Sequence, residues 1–573
     1  MNYKLLLIAG ALAGMSITGK AQTFETGQEA VTNMGVGWNL GNTLEANSGS
    51  AYYPSNASYW GIQGLESETY WGQVYVTSEF LTMMKNAGFG AIRVPVTWYN
   101  HMDKDGNVNA EWMARVKEVV NYVIDNGLYC ILNVHHDTGA DSYDGSTPKF
   151  ISWLKADMTT YNSVKSKYEY LWQQIAAEFK DYGPKLLFES YNEMLDTRNS
   201  WNYASSNASG GYNASQATSA YSAINSYAQS FVNVVRASGG NNAQRNLIVN
   251  TYGASNGGGT WNTHLEEPLK NLTIPTGEKN HIIVEVHSYP SLNNGLTSAL
   301  SLVDNMLGKL KSNFTDKGIP VIIGEWGSEG LSSDYQSRKS TLLSFADSYI
   351  KKTKECGIAA FYWMGLSDAS TRALLVFNEP DLAETIVKAY HGSDFQGQYP
   401  SLNDINVYYR IDFTQQWSEC NVFQGSAPLS TYSSIVVELD KSYSKDDLQI
   451  KAYATNGKEQ YNTQDGPVRS MTFSSSTLAN GAVSRVTLQA FKAPYEVTVK
   501  KVKLIRKNGT VEEQAPSSFW GCTVTAINAG SGIETVVSGD KLRQSPRYNL
   551  YGQPVGTDYR GYVIEGGRII MLK

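Results

Sequence analysis

Short apolar runs recur along roughly the first 370 residues, and within them polar and apolar residues do not alternate. Continuous apolar runs are typical of strands that are covered on both faces, as in a parallel sheet surrounded by helices. We therefore predict eight buried strands, which are VGWNL (36–40), AIRVPV (91–96), YCILNV (129–134), KLLFESY (185–191), NLIVN (246–250), HIIVEV (281–286), IPVIIG (319–324) and IAAFYW (358–363).

The segments between these strands have the apolar period of helices. In AEWMARVKEVVNYVIDNG (110–127), one helical face carries Trp112, Val116, Val119, Val120 and Val123, and Gly127 can end the helix. Segments 161–180, 218–238, 299–316 and 335–355 have the same period. Strands and helices that alternate eight times are typical of a (β/α)8 barrel.

An open, doubly wound sheet is the rival α/β fold. A nucleotide-binding sheet of that kind carries a G-x-G-x-x-G turn after its first strand, and this chain has none there. We therefore expect a (β/α)8 barrel, also called a TIM barrel, in residues 22–392.

The sequence pattern changes after Tyr390. Residues 393–403 are typical of a linker, and short strands separated by turn residues then continue over 404–529. This pattern predicts an all-β sandwich. A Gly/Ser break at 530–532 begins a short C-terminal tail, residues 530–573.

The N-terminus predicts export. Lys4 precedes a short apolar core from Leu5 to about Ile17, and Ala21 comes just before Gln22. This is typical of a signal peptide, residues 1–21, that is cleaved near Ala21 and is too short in its apolar core to span a membrane. We expect a secreted or cell-surface protein without a membrane span.

The four cysteines fall into two groups. Cys130 and Cys356 lie in apolar segments of the barrel and are predicted to be buried thiols. Cys420 and Cys522 lie near the first and last strands of the sandwich, where they could form a disulfide or remain free. The sequence has no C-x-x-C pair or Cys/His cluster that would indicate structural zinc.

The composition favours a partner that stacks rather than one that carries charge. The 573 residues include 13 Trp and 37 Tyr, only 17% are charged, and the net charge is −6. Nucleic acid would call for a basic patch, so nucleic-acid binding is not expected. The length predicts two or three domains.

In a barrel, the carboxyl ends of all strands meet at one face, which is where barrel enzymes carry their active sites. Two carboxylates, hydrogen-bonding groups and flat rings fit a sugar there, because sugars offer hydroxyls to bond and C–H faces to stack. A carboxyl pair is also what hydrolysis of a glycosidic bond requires. The residues at the predicted strand ends are Asn39, Asn42, Arg93, Trp98, His135, His136, Asn192, Glu193, His287, Tyr289, Glu325 and Trp363.

Several of these residues also have a purely structural explanation. Glu193 could be a first-turn helix residue favoured by the helix dipole, and Trp363 and Tyr289 could belong to the core. His135 and His136 could bind a metal, but neighbours on a strand point to opposite faces and no third ligand is evident. Arg93 is harder to explain in this way, because a cation in an apolar strand needs a partner.

Six motifs at these strand ends resemble those of a known family. They are MGVGWNLGNTLEA, GFGAIRVPVTW, LNVHHD, FESYNEM, VEVHSYP and VIIGEWGS. In order and spacing they resemble glycoside hydrolase family 5 over about residues 28–391, and most closely its bacterial endoglucanase and xyloglucanase branch. The resemblance implies a (β/α)8 barrel with the acid/base after the fourth strand and the nucleophile after the seventh.

Carried over by motif, the resemblance implies that Glu193 is the acid/base and Glu325 the nucleophile. It implies that Arg93 and Tyr289 support the nucleophile and that Asn192 bonds the sugar 2-hydroxyl. The remaining binding or supporting residues are His135, His136 and His287 at the cleavage subsite, Trp363 as a stacking platform, and Asn42 and Glu45 further along the cleft. No metal or organic cofactor is implied.

The chain departs from the family pattern in two places. Met194 stands where the pattern usually has proline, which affects the stiffness of the loop and not its chemistry. The segment YWMGLSD at the eighth strand is only loosely similar to the family, which makes the assignment of Trp363 depend on the barrel geometry.

The resemblance implies a retaining endo-β-1,4-glycanase that hydrolyses plant β-glucan, with xyloglucan, mixed-linkage glucan and β-mannan as alternative substrates. A monomer is expected. A non-catalytic polysaccharide-binding protein is the alternative of another class, but it would have no reason to keep both glutamates together with Arg93 and Tyr289.

The sandwich is similar to carbohydrate-binding modules, and its stacking candidates are Trp417, Trp520 and the Tyr408–Tyr409 pair. A spacer that docks on the barrel is the other interpretation. The tail is similar to C-terminal sorting or surface modules of secreted Bacteroidetes proteins.

Overall fold

The computed structural model describes residues 24–47, 64–144, 147–206, 211–329, 335–424, 431–455, 457, 459–462, 468–474, 483–529, 547–549, 554–555, 561–565 and 568–572. The predicted signal peptide lies outside these residues. Among the helices within these ranges, none has both the length and the apolar character needed to cross a membrane.

Eight parallel strands form a closed barrel in the order β1-β8-β7-β6-β5-β4-β3-β2. Each strand therefore pairs with its neighbours in sequence, and β8 closes the barrel onto β1. The (β/α)8 fold is confirmed, and every strand overlaps one of the eight predicted runs. The strands are β1 (Val36–Asn39), β2 (Ala91–Val94), β3 (Tyr129–Asn133), β4 (Leu186–Glu189), β5 (Leu247–Asn250), β6 (Ile282–Ser288), β7 (Val321–Trp326) and β8 (Ala359–Trp363).

Helices surround the barrel, and the five predicted from periodicity are confirmed as α3, α4, α5, α7 and α8. The predicted face of α3 is the buried one, and Asn109 caps the helix by accepting from the backbone N–H groups of Glu111 and Trp112. The helices are α1 (Gly27–Met34), α2 (Ser78–Ala87), α3 (Ala110–Asp125), α4 (Met158–Glu178), α5 (Ala214–Ala237), α6 (Glu267–Lys270), α7 (Leu296–Asn313), α8 (Tyr335–Glu355), α9 (Ser370–Leu374) and α10 (Pro380–His391).

The barrel interior has an apolar floor and a polar upper layer. The floor contains Ala91, Ile131, Leu187, Ile248, Ile283 and Phe361. Gly37 belongs to the same level, because a Cβ there would lie 2.1 Å from the Phe361 ring. Since side chains alternate along a strand, the residues two positions further along also point inward. These residues are Asn39, Arg93, Asn133, Glu189, Asn250, Glu285 and Trp363.

Two antiparallel sheets follow the barrel, in agreement with the predicted sandwich. The first has the order β14-β11-β16-β9-β19, with β17 paired to β16, and the second has the order β13-β12-β15-β10-β18. Their shared core includes Ile411, Val422, Ile450, Leu488 and Val497. The strands are β9 (Val407–Phe413), β10 (Glu419–Gln424), β11 (Tyr432–Tyr443), β12 (Leu448–Ala454), β13 (Glu459–Asn462), β14 (Val468–Ser474), β15 (Val483–Ala490), β16 (Tyr495–Arg506), β17 (Val511–Gln514), β18 (Ser517–Trp520) and β19 (Cys522–Asn528).

The segment predicted to be a linker, 393–403, is bound to the barrel surface. Gln398 donates its backbone N–H to the carbonyl of Asn86, and Phe377 donates its own to the carbonyl of Pro400. Phe395 and Tyr399 pack against the barrel core, so these rings hold the segment in place. In the tail, a four-stranded sheet is formed by β20 (Arg547–Asn549), β21 (Pro554–Val555), β22 (Gly561–Glu565) and β23 (Arg568–Leu572).

Candidate active site

Arg93 lies at the centre of the polar layer and is fully buried. Its Nε donates to Glu189 at 2.7 Å, its Nη1 to Glu325 at 2.8 Å and its Nη2 to Asn192 at 2.8 Å. Burial alone would lower the pKa of Arg93, but the charges of Glu189, Glu285 and Glu325 raise it well above its usual value. The cation therefore has the partners that its place in an apolar strand requires.

Glu325, at the end of β7, is held through both carboxylate oxygens. Arg93 Nη1 donates to Oε1 at 2.8 Å, and the hydroxyl of Tyr289 donates to Oε2 at 2.7 Å. Burial, followed by the charges of Glu325 and Glu193, raises the pKa of Tyr289 well above its usual value, which keeps its hydroxyl a donor. These two donors fix the orientation of the Glu325 carboxylate.

Glu193 is the more accessible carboxylate, with 24% of its side chain exposed. His287 lies between the two glutamates, because its Nδ1 is 2.8 Å from Glu193 Oε1 and 3.5 Å from Glu325 Oε2. Burial alone would lower the pKa of His287, but Glu325, Glu193 and Glu285 together raise it to about 10. His287 is therefore a cation at neutral pH and lies within hydrogen-bond distance of Glu193.

The facing atoms of Glu193, His287 and Glu325 all lie within 4.8 Å of one another. In the described part of the chain, this is the one group of His, Cys and acidic residues close enough to hold a metal ion. Neither His135 nor His136 belongs to it.

Two histidines and a tryptophan form the adjoining wall of the site. The His135 and Trp363 rings lie parallel, with an interplanar angle of 4° and centroids 5.8 Å apart. Burial lowers the pKa of His135 well below its usual value and that of His136 to about 4, so both are neutral near pH 7. Neutral imidazoles and an indole form a wall suited to an uncharged ligand.

Asn192 lies beside Arg93 in the site. Its Oδ1 accepts from Arg93 Nη2, which leaves its amide NH2 to donate elsewhere. Asn42 and Glu45 lie in the loop after β1, where Glu45 is fully buried. Its carboxylate accepts from the backbone N–H of Asn42 and, at 2.9 Å, from that of Thr43. Burial raises the pKa of Glu45 to about 7, and its contacts shape the loop rather than present a carboxylate to an open cleft.

The sequence reading missed two interior carboxylates, Glu189 and Glu285. Burial raises the pKa of Glu189 to about 6, although Arg93 opposes the shift. Glu285 lies 3.3 Å from both Arg93 Nε and His287 Nε2, and a Cβ on Gly324 would lie 1.6 Å from its Oε1. Both glutamates interrupt apolar runs, as Arg93 does. The argument that a charge in an apolar strand needs a partner could therefore have identified them as well.

Aromatic side chains also line the loops near the site. The rings of Trp71, which is 37% exposed, and His136 pack edge to face, with their centroids 5.3 Å apart. Trp201 and Trp261 are exposed on the loops after β4 and β5. Sequence position alone gave no reason to single them out, because these loops are placed by tertiary contacts.

The chain is similar to known proteins over the barrel. The profile of the family described as Cellulase (glycosyl hydrolase family 5) matches residues 53–367. Endoglucanase A of Paenibacillus barcinonensis is 31% identical over 396 residues, which cover 63% of this chain and 88% of that protein.

Solved structures are similar over the same region. A GH5-4 broad specificity endoglucanase from an uncultured bacterium is 55% identical, with a TM-score of 0.61 over 65% of this chain and 97% of that one. PbGH5A of Prevotella bryantii B14, a family 5 enzyme solved as a mutant in complex with a xyloglucan tetradecasaccharide, is 41% identical, with a TM-score of 0.55 over 65% of this chain and 100% of that one. The chain therefore belongs to glycoside hydrolase family 5, the endoglucanase and xyloglucanase family, and is a glycoside hydrolase.

Proposed function

We propose that this protein is a secreted, retaining endo-β-1,4-glycanase that hydrolyses internal bonds of plant β-glucan. The observation that carries the proposal is the unequal environment of the two glutamates. Glu325 is buried and bonded through both oxygens to Arg93 and Tyr289, whereas Glu193 is partly exposed. A fixed anion suits a nucleophile, and an accessible carboxyl suits an acid that must reach the leaving oxygen.

In the first step Glu325 attacks the anomeric carbon and forms a glycosyl ester. The bond to the leaving oxygen breaks, and Glu193 gives that oxygen its proton. In the second step Glu193 removes a proton from water, the water attacks the anomeric carbon, and Glu325 leaves as a carboxylate. One carboxylate oxygen of Glu193 and one of Glu325 lie within 4.8 Å of each other. This distance leaves little room for a water molecule between the carboxyl groups, which favours a retaining mechanism.

The supporting residues follow from their contacts. Arg93 and Tyr289 hold Glu325 on the line of attack, and His287 lies beside both carboxylates. Asn192 uses its oxygen to bind Arg93, so its free NH2 group is available to the sugar 2-hydroxyl. His135, neutral because it is buried, and Trp363 offer a polar edge and a flat ring to a neutral sugar.

The preferred substrate is β-1,4-glucan, with xyloglucan as the second candidate. One relative is described as a broad specificity endoglucanase, and another was solved with a xyloglucan oligosaccharide. A reducing-sugar assay on β-glucan, mixed-linkage glucan, xyloglucan and β-mannan tests this order. We expect the highest kcat/KM on β-1,4-glucan and the next highest on xyloglucan, and no activity from Glu325→Gln. An inactive wild type that still binds polymer would instead identify a non-catalytic binding protein.

Export is part of the proposal, and the N-terminal pattern around Lys4 and Ala21 supports it. Expression of the full chain in a Gram-negative host, followed by N-terminal sequencing of the exported protein, tests it. We expect a new N-terminus near Gln22. A chain that stays in the cytoplasm with Met1 intact would contradict export.

A further inference from the structure

Glu285 is a fully buried carboxylate on β6 that neither catalytic step uses. The chain makes room for it, because a Cβ on Gly324 of β7 would lie 1.6 Å from Glu285 Oε1. Oε1 lies 3.3 Å from His287 Nε2 and 3.3 Å from Arg93 Nε. Among the described residues, the other oxygen, Oε2, has no hydrogen-bond partner although it is buried. Burying a carboxylate with one unbonded oxygen costs free energy, so its place in the interior calls for a role beyond packing.

The His287 ring has a carboxylate at each nitrogen. Nε2 faces Glu285 at 3.3 Å, and Nδ1 faces Glu193 at 2.8 Å. The backbone is held as well, because Asn256 Nδ2 donates to the His287 carbonyl at 2.6 Å. A neutral imidazole has one N–H and can donate to only one of the two carboxylates, whereas the cation donates to both. The partner of one nitrogen therefore decides what the other nitrogen offers to Glu193.

Glu285 is also part of the electrostatic surroundings of His287. Burial alone would lower the pKa of His287, but Glu325, Glu193 and Glu285 raise it to about 10. Of these three acidic groups, Glu285 is the one outside the catalytic pair. The charged and titratable groups that face His287 and Glu285 from the surrounding elements are Arg93 from β2, His135 from β3, Glu189 from β4, Glu193 from the loop after β4, Tyr289 from the loop after β6 and Glu325 from β7.

The hydrogen bond between Glu193 and His287 carries one proton. This proton lies either on Glu193, beside a neutral imidazole, or on His287 Nδ1, beside a carboxylate. Both arrangements contain the same number of protons, so the two residues titrate as a couple. The first catalytic step passes the proton from Glu193 to the leaving oxygen, and the second step returns one from water. The couple must therefore keep its proton until substrate is bound.

We propose that Glu285 is a positioning residue for the acid/base. It keeps a proton on His287 Nε2, which leaves Nδ1 to Glu193, and its negative charge retains the shared proton on the couple at high pH. Because Glu285 is fully buried, it does not touch the sugar and acts through His287. The role of Glu193 as acid/base rests on the proposed function, whereas the contact between Glu285 and His287 does not.

The pH profile of the full chain tests the role of the charge. Glu285→Gln keeps the shape of the side chain and removes its charge. The basic limb of kcat/KM on soluble β-glucan should move to lower pH by about 1–3 units, because an anion beside the imidazolium is lost. Glu189→Gln removes the other interior carboxylate, which bonds Arg93, and should leave the basic limb in place. Glu285→Asp keeps the charge and should move the limb less than Glu285→Gln does.

Nuclear magnetic resonance of the histidine rings tests the contact without catalysis. The chain has 7 histidines, and the His287 signal is the one that is lost in His287→Gln. In the wild-type chain, the ring nitrogen shifts should show that Nε2 keeps its proton when His287 loses its charge. In Glu285→Gln, the midpoint of the His287 titration should fall together with the basic limb.

A neutral wild-type His287 with its proton on Nδ1 would overturn the proposal, as would an unmoved basic limb in a folded Glu285→Gln protein. An equal shift of the limb in Glu189→Gln would also overturn it, because the effect would then come from the general charge of the interior. If the chain does not hydrolyse glucan while Glu285→Gln still lowers the His287 titration, the proposed function fails and the contact assigned to Glu285 stands.

Discussion

Arg93 Nη1 donates to Glu325 Oε1 at 2.8 Å, and neither residue is accessible enough for water to replace the contact. The same guanidinium also neutralises Glu189 and lies beside Glu285. Removing the cation would leave several buried carboxylates without a partner, which is among the most destabilising changes a core can suffer. Arg93 therefore supports both the nucleophile and the barrel.

A substitution that keeps the charge separates these roles. In Arg93→Lys the three-way fork is lost, because an ammonium cannot bond Glu189, Asn192 and Glu325 in one plane. We expect kcat to fall by about 100-fold or more while KM changes less than about threefold, since Arg93 contacts the nucleophile and not the neutral sugar. Steady-state kinetics on soluble polymer, with circular dichroism as the folding control, checks this. A folded variant altered only in KM would contradict the assignment.

Tyr289 supports the other oxygen of Glu325, at 2.7 Å. Hydrogen bonds to charged groups contribute about 1.5–3 kcal/mol, so Tyr289→Phe should lower kcat by about 10- to 100-fold. Tyr182→Phe, which removes a hydroxyl that bonds Asn121 far from the site, is the matched control and should leave kcat unchanged. Equal kinetics for the two variants would show that Tyr289 has no role in holding Glu325.

His287 should make stability depend on pH. Its pKa is raised from 6.5 to about 10 in the folded chain. Because the pKa is higher in the folded chain than in the unfolded one, the contribution of His287 to the free energy of unfolding is fully present below pH 6.5. It is lost as the pH rises to about 10. The difference in unfolding free energy between wild type and His287→Gln should therefore shrink over this range, as measured by urea denaturation at several pH values. If the difference in unfolding free energy stays constant from pH 6 to 10, the claim that His287 is charged in the folded chain is contradicted.

Cys420 and Cys522 are free thiols, but they lie next to each other where the two sheets of the sandwich meet. Cys522 Sγ donates to the carbonyl of Glu419 at 3.0 Å, and contact with Cys420 is the largest cause that lowers the Cys522 pKa, to about 7. We expect glutathione disulfide to oxidise the pair to a disulfide near pH 8. Peptide mapping should then join the two residues and leave Cys130 reduced. If both residues carry only glutathione, the pair is not placed for a bond.

Much of this structure follows from periodicity. The eight strands, the five helices and the rim positions of Glu193 and Glu325 were predictable because apolar runs and strand ends are local features of the chain. The packing of Phe395 and Tyr399 onto the barrel was not, since the surface that receives them comes from distant segments. The burial of Glu45 likewise depends on how the loop after β1 folds around it.

The interior carboxylates Glu189 and Glu285 show what the sequence pattern leaves undetermined. Glu189 and Glu285 stand two residues beyond Leu187 and Ile283, so alternation alone puts them inside the barrel. What alternation cannot tell is that they share Arg93 with the nucleophile, because that needs the register between β2, β4 and β6. The network around Arg93 is thus a property of the closed barrel.

The central claim is that Glu325 forms the covalent bond to sugar while Glu193 donates and removes the proton. An aryl β-cellobioside with a good leaving group needs no acid in the first step, so Glu193→Ala should accumulate glycosyl-enzyme and turn over slowly. Azide needs no base, and it should restore turnover of this variant.

The anomeric configuration of the azide product, read by proton NMR, tests that claim most directly. Glu193→Ala should give the β-glycosyl azide, because azide displaces Glu325 from the ester. Glu325→Ala should give the α-glycosyl azide, because azide attacks from the side that the missing nucleophile has left open. The same anomer from both variants, or an inverted sugar from the wild-type enzyme, would contradict the roles assigned to Glu193 and Glu325.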